Sequence, residues 1–99
     1  MPLFAIIGHD VADSTAKRTE TRPKHLERLT ALDAQNRLVL AGPTPIKHGE
    51  PAMSGSLVVA HFDTLEQAQE WANDEPYLSA GVYSHVEIKP FVQVFPKDQ

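Results

Sequence analysis

His25 is the residue of this sequence best suited to exchange protons with a substrate. It recurs with Leu29 and Leu32 at the spacing of one face of an amphipathic helix, so its imidazole should face a sheet rather than open water. A partly buried histidine beside a carboxylate is a typical general base, because the carboxylate orients the ring and stabilises its protonated form. A histidine at the edge of an apolar core with no chemical role is the competing interpretation.

Two acids near the end of the second predicted helix are candidates for the carboxylate partner. Asp74 and Glu75 precede Pro76, and a helix must end before a proline. Adjacent acids at a helix end are more often solvated than catalytic. We expect Glu75 to approach His25, because Pro76 turns the chain toward the edge of the sheet, and Asp74 to project into solvent. If Asp74 contacts His25 instead, the histidine–carboxylate pair remains, but its acid is Asp74 and not Glu75.

Three further residues are candidates for binding a substrate. Arg22 could hold an anionic group or lie along the surface with its charge in water, and the two readings carry equal weight. Ser56 follows Gly55 at the start of a predicted strand and could donate a hydrogen bond, but it lacks the strand-to-helix elbow of a nucleophilic serine. Tyr77 could line a cavity, although packing is the more common role. His25 is predicted near a helix N-terminus, where the positive end of the helix dipole and Arg22 would both disfavour protonation of its imidazole.

Three histidines raise the separate hypothesis of a metal site. His9, His61 and His85 could approach one another at one end of neighbouring strands. The sequence has no short paired-ligand spacing such as HxxxH or HxH, which structural zinc sites commonly use. We therefore predict no metal for the function.

The composition excludes several classes of protein. The net charge is −4, and the nine Lys and Arg residues are scattered, so nucleic acid is not an expected partner. There are no cysteines, which excludes disulfides and thiolate chemistry. No apolar stretch has the length of a membrane span and no leader is recognisable, so we expect a cytoplasmic protein without membrane contact. A length of 99 residues fits one domain, residues 1–99.

The apolar patterns alternate between short strands and amphipathic helices. Thr64 and Gln67 occupy the two positions of a capping box at the start of the later helix. The predicted elements begin with a strand over 3–8, a helical turn over 14–19 and a helix that begins at 21–23 and ends near 36. Two strands follow, over 38–41 and 56–62, and a loop over 44–53 separates them. The last elements are a helix from 64 to before 76, a strand over 82–88 and a short fifth strand over 91–95.

This order predicts an α+β fold. The arrangement is βαββαβ with an antiparallel sheet, that is, a ferredoxin-like split βαβ sandwich. Its helices cover one face of the sheet, so apolar residues of the other face, such as Val58 or Val59, need a cover. A second copy of the chain is the usual cover, and we predict a homodimer.

Several short motifs resemble the YciI-like (YCII-related) family, in order and with similar spacing over nearly the whole chain. They are Arg22-Pro-Lys-His25-Leu, Leu40-Ala-Gly-Pro43, Gly55-Ser56, Trp71-Ala72, Pro76-Tyr77 with Ala80-Gly-Val-Tyr83, Lys89-Pro90-Phe91 and Val94-Phe95. The resemblance implies a ferredoxin-like subunit that forms a dimeric α+β barrel and carries a His–Asp dyad. The family histidine falls on His25, and Glu75 stands where the family has aspartate.

The resemblance also bears on activity. Most members of that family have no established substrate, and some relatives remove HCl from chlorinated hydroxylated aromatics without a metal or organic cofactor. The sequence therefore favours a small cofactor-free lyase or isomerase that abstracts a proton from a small polar or aromatic ring compound. The alternatives are a non-catalytic small-ligand-binding dimer and an accessory module that acts with another protein.

Overall fold

The protein, described here by a computed structural model over residues 1–97, is built on one four-stranded antiparallel sheet. The strand order across the sheet is β2-β3-β1-β4. The elements are β1 (Leu3–Asp10), α1 (Thr15–Ala34), β2 (Leu38–Pro45), β3 (Met53–His61), α2 (Leu65–Asn73), α3 (Pro76–Ser79) and β4 (Tyr83–Phe91). This confirms the predicted ferredoxin-like α+β fold.

The main core lies between the sheet and the helices. Alternate residues of the two central strands point toward the helices, because successive strand side chains face opposite sides of a sheet. Phe4 and Ile6 of β1 and Val58 and Ala60 of β3 form this inner layer. Leu32 of α1 and Ala68 and Ala72 of α2 cover it, together with Phe62.

Helix α1 is one continuous element, whereas the sequence predicted two. The prediction of a new helix start at 21–23 is wrong, because Pro23 lies inside the helix. A proline removes one backbone hydrogen bond from a helix interior. The buried stripe of Arg18, His25 and Leu32, at seven-residue spacing, nevertheless packs along the whole helix. His25 therefore lies well inside α1, and the expected influence of a helix N-terminus on its protonation is wrong.

The strand boundaries also differ from the prediction in ways that the pairing explains. Strand β2 continues through Pro43 to Pro45 because it is an edge strand, where a missing N–H can face solvent. Strand β4 pairs with β1 as far as Phe91, the partner of Leu3 at the start of β1. Beyond Phe91 no β1 residue remains to pair with, and the predicted fifth strand over 91–95 is absent from residues 92–97.

The second face of the sheet carries no helix within residues 1–97. Val58 was expected on this face but packs under the helices, while Val59 lies on it and is already buried by its neighbours. Large apolar side chains stay exposed there and in the segment that follows β4; examples are Leu40 at 49%, Phe91 at 42% and Val94 at 65%. Among the helices of residues 1–97, none is both long and apolar enough to cross a membrane.

Candidate active site

His25 and Glu75 meet beneath the helices. Nδ1 of His25 lies 2.5 Å from Oε1 of Glu75, and both residues are buried, with 8% and 3% of their surfaces exposed. An ionised carboxylate can only accept a hydrogen bond, so this contact assigns the imidazole hydrogen to Nδ1. The lone pair is then on Nε2, which is the nitrogen that could take a proton from a substrate.

The end of α2 explains why Glu75 and not Asp74 makes this contact. Helix α2 ends at Asn73, and Asp74 is its exposed C-cap residue. Pro76 then begins the short helix α3, so Glu75 becomes the N-cap of α3 and adopts an extended backbone. Its Oε1 also accepts a hydrogen bond from the backbone N–H of Tyr77 at 3.4 Å. The extended backbone and this capping hydrogen bond therefore turn the Glu75 side chain inward.

Arg28 is a member of the site that the sequence did not reveal. Its Nη1 donates to Oε2 of Glu75 at 3.1 Å, and its Nη2 donates to the backbone carbonyl of Trp71 at 2.7 Å. The guanidinium also lies over the Trp71 ring, 4.2 Å from its centroid. Arg28 is one helical turn after His25, so the i, i+3 spacing could have indicated that both face the same acid.

Arg18 is the second residue that the sequence did not reveal. Its Nε and Nη2 form a two-point contact with the carboxylate of Asp10, at 2.6 and 3.0 Å, and Ser14 donates to the same carboxylate at 2.6 Å. Nη2 also donates to the Gly55 carbonyl at 2.8 Å and to Oγ of Ser56 at 2.7 Å. Burial by itself lowers the pKa of Arg18, but Asp10 outweighs it and raises that pKa above its ordinary value. A permanent cation is therefore held beside Ser56.

Two tyrosines complete the polar cluster. The ring of Tyr77 stacks on His25, with centroids 4.2 Å apart, while Arg18 lies 4.8 Å from the centroid of the same ring. Tyr83 packs against Tyr77 edge to face, at 5.5 Å. Burial raises the pKa of Tyr83 to about 12, although a hydrogen bond with Ser56 opposes this shift. Burial likewise raises the pKa of Tyr77. Both phenols are therefore neutral hydrogen-bond donors at neutral pH.

The cluster borders two spaces. An inner cavity of about 10 Å³, close to the minimum for one water molecule, is lined by His25, Glu75, Ser56 and Tyr83 among others. A surface cleft of about 160 Å³ is lined by Arg18, Arg22 and Tyr77, together with Thr15, Thr19, Pro43, Pro51 and Met53. The stacked series His25–Tyr77–Arg18 connects the two spaces.

The structure thus separates the predicted site residues into three groups. His25, Glu75 and Ser56 line the inner cavity, whereas Arg22 lines the outer cleft. Tyr77 lies between them, and Asp74 is exposed and makes no contact with His25.

The metal hypothesis built on three histidines is wrong. His61 pairs with Leu3 at the start of β1, while His9 lies near the end of β1 and pairs with His85. The Nδ1 atom of His61 instead contacts the backbone carbonyl of Met1 at 2.8 Å.

The fold and site together define a class: a ferredoxin-like α+β chain whose helices hold a buried histidine–carboxylate pair against one sheet face. The family model described as the YCII-related domain matches residues 2–92, and the chain belongs to this family.

Two relatives support the assignment. Protein YciI of Escherichia coli is 47% identical over 97 residues, which cover 94% of this chain and 99% of the relative. An uncharacterized protein of Haemophilus influenzae is 42% identical over 96 residues, covering 93% and 98% of the two chains.

Solved structures share the fold at low sequence identity. The 5-chloro-2-hydroxyhydroquinone dehydrochlorinase TftG of Burkholderia phenoliruptrix, in complex with 2,5-dihydroxybenzoquinone, has a TM-score of 0.82 at 21% identity and covers 92% of this chain and 94% of its own. A protein of Agrobacterium tumefaciens has a TM-score of 0.57 at 13% identity, covering 96% and 95%.

Proposed function

We propose that this chain is a cofactor-free enzyme of the lyase or isomerase type, which abstracts a proton from a small hydroxylated ring compound. The observation that carries the proposal is the buried contact between Nδ1 of His25 and Glu75. It holds the imidazole in the tautomer whose Nε2 is basic, and it stabilises the imidazolium that forms when Nε2 takes a proton.

The residues around His25 support stabilisation of a developing oxyanion. When Nε2 removes a proton from the ring compound, the electron pair moves onto an oxygen substituent of the ring. That pair then expels a leaving anion in a lyase, or takes the proton back at another atom in an isomerase. The Arg18 cation and the Ser56 and Tyr83 hydroxyls cluster beside the same cavity and could bind that oxygen. Fixed donors of this kind lower the barrier because they need little reorganisation.

The two spaces indicate how a substrate is bound. The inner cavity is too small for a ring, whereas the outer cleft is larger and carries Arg18 and Arg22. We expect an anionic or phenolic substrate to bind first at the arginines. The Tyr77 ring stacks on His25 between the two spaces, and we expect it to move aside when the substrate approaches Nε2. TftG, with the same fold, is a dehydrochlorinase bound to a dihydroxybenzoquinone, which favours hydroxylated quinols as test compounds.

The test is a screen of chlorinated and non-chlorinated hydroxyquinols. Released chloride and the ultraviolet spectrum of the ring report turnover. His25→Ala and Glu75→Gln should abolish most of any turnover found, and Asp74→Asn should leave it intact. Turnover that persists in His25→Ala would exclude His25 as the base.

A non-catalytic small-ligand-binding protein is the second candidate. The observation that favours it is the small inner cavity next to a cleft with two arginines, because such a cleft can hold an anion without chemistry. Calorimetry separates the candidates. A ligand that binds wild type and His25→Ala equally, binds Arg22→Met more weakly and is recovered unchanged would support binding alone.

A homodimer forms part of the proposal. The helix-free sheet face and the segment after β4 leave Leu40, Phe91 and Val94 exposed, and a second copy packed face to face would cover them. Such a partner would also add apolar burial to a chain of 99 residues.

A further inference from the structure

A cluster of potential metal ligands lies on the helix-free face of the sheet. His9 of β1 and His85 of β4 are cross-strand partners, and Glu87 follows His85 by two residues, so all three side chains share one face. One ligand atom from each residue lies within 4.8 Å of the other two. No other such group occurs within residues 1–97.

The side chains are already oriented toward one another. Nε2 of His9 lies 2.6 Å from Oε1 of Glu87, and the His9 and His85 rings stack with centroids 4.5 Å apart and an angle of 11°. Nδ1 of His85 contacts Oγ of Ser84 at 2.8 Å, which leaves Nε2 of His85 free to coordinate.

We propose that His9, His85 and Glu87 form a binding site for a divalent transition-metal ion of the zinc class. Two imidazoles and one carboxylate are a donor set that such ions accept. Bond lengths of about 2.0–2.1 Å place tetrahedral ligand atoms about 3.3 Å apart. The His9–Glu87 contact would open slightly and His85 would move inward, which needs only side-chain rotation on two paired strands. The Ser84 hydroxyl would act as an outer partner that orients the His85 ring.

This site is separate from the proposed reaction centre. His9 points away from the helices, whereas its neighbour Gly8 lines the cavity of His25 on the opposite face. It also lies at the other end of the sheet from Phe91, which pairs with Leu3. A metal here would stabilise the β1–β4 pair.

Equilibrium dialysis of the full chain against Zn²⁺, followed by elemental analysis, tests the proposal. We expect one Zn²⁺ per chain, with His9→Gln, His85→Gln and Glu87→Gln each weakening binding by at least roughly tenfold, since even outer-sphere changes cost 10–100-fold. His48→Gln and His61→Gln are matched controls outside the cluster and should bind like wild type.

Cobalt provides a second measurement that does not depend on stoichiometry alone. Co²⁺ bound by this cluster should give visible absorption bands that disappear in His85→Gln, while circular dichroism shows the variant is folded. Absence of Zn²⁺ uptake by wild type, or uptake unchanged by all three substitutions, would overturn the proposal.

Discussion

Gly8 on β1 leaves the space that the ring of Tyr83 occupies. A Cβ atom at position 8 would lie 2.4 Å from Cζ of Tyr83 and within 2.7 Å of both neighbouring ring carbons. No real Cβ tolerates such an approach, so the tyrosine hydroxyl can sit beside Ser56 only because residue 8 has no side chain. The position of a candidate oxyanion donor therefore depends on a glycine in another strand.

Gly8→Ala should displace the Tyr83 ring and destabilise the protein by about 1–3 kcal/mol, the usual cost of overpacking a core. Gly42→Ala is the matched control, because a Cβ there meets nothing within 4 Å. Urea denaturation of both variants measures the difference in the free energy of unfolding. Equal stabilities for the two variants would show that the Tyr83 ring moves aside without cost.

The fold could be predicted from the sequence because its signals are local. The apolar strand around Ile6 and the capping box at Thr64 each specify one element, and Thr64 does accept a hydrogen bond from the Gln67 N–H at 3.1 Å. The break assigned within α1 failed because Pro23 carries a strong local signal that tertiary packing overrides.

The site could be predicted only in part, because long-range contacts leave little trace in local sequence. The position of Glu75 before Pro76 could be read from the chain. Arg18 could not, because the error at Pro23 hid its place one heptad before His25 on the same buried stripe. Its partners Asp10 and Ser56 lie on two different strands, and only the sheet register brings them together.

Glu75→Gln should change the tautomer of His25, whereas Asp74→Asn should not. In the wild type the Glu75 carboxylate accepts from Nδ1–H, and the neutral amide of Gln loses the charge that favours this form. Nitrogen NMR of the imidazole reads the tautomer without any substrate. Where a substrate is known, Glu75→Gln should lower turnover about as much as His25→Ala, by roughly 10²–10⁴-fold. A wild-type spectrum with the hydrogen on Nε2 would contradict the assignment.

The tyrosines should titrate abnormally late. The chain has two, and burial raises the pKa of both, that of Tyr83 to about 12. Since the unfolded value is about 10, the neutral phenol of Tyr83 contributes stability that is complete below pH 10 and is lost as the pH rises toward 12. The tyrosinate absorbance of Tyr83 should therefore appear near pH 12 or together with unfolding, and that of Tyr77 at a higher pH than for an exposed tyrosine. Tyr83→Phe should reduce this alkaline loss of stability, and early tyrosinate formation in the folded protein would contradict the burial argument.

The proposed dimer should depend on the helix-free sheet face. Leu40→Glu or Phe91→Glu places a charge on apolar surface that a second copy would bury, so either variant should shift sedimentation from dimer to monomer. Leu26→Glu is a suitable control, because Leu26 has a comparable exposure of 38% but lies on α1 and not on the sheet. A wild-type protein that sediments as a monomer at micromolar concentration would contradict the proposed dimer.

Arg18→Met should be the most destabilising of the polar substitutions. It leaves the Asp10 carboxylate, whose side chain is 0% exposed, without its cation. Among residues 1–97, the Ser14 hydroxyl is then its one remaining side-chain partner. Breaking one half of a buried ion pair costs about 3–5 kcal/mol.

The double variant Asp10→Asn with Arg18→Met removes the stranded charge and should recover part of that loss. Arg22→Met, on the exposed side of the same helix, should stay within about 0.5 kcal/mol of wild type. Chemical denaturation measures the free energy of unfolding of the wild type and of each of these variants. No recovery in the double variant would mean that Arg18 stabilises the protein through Gly55 and Ser56 and not through Asp10.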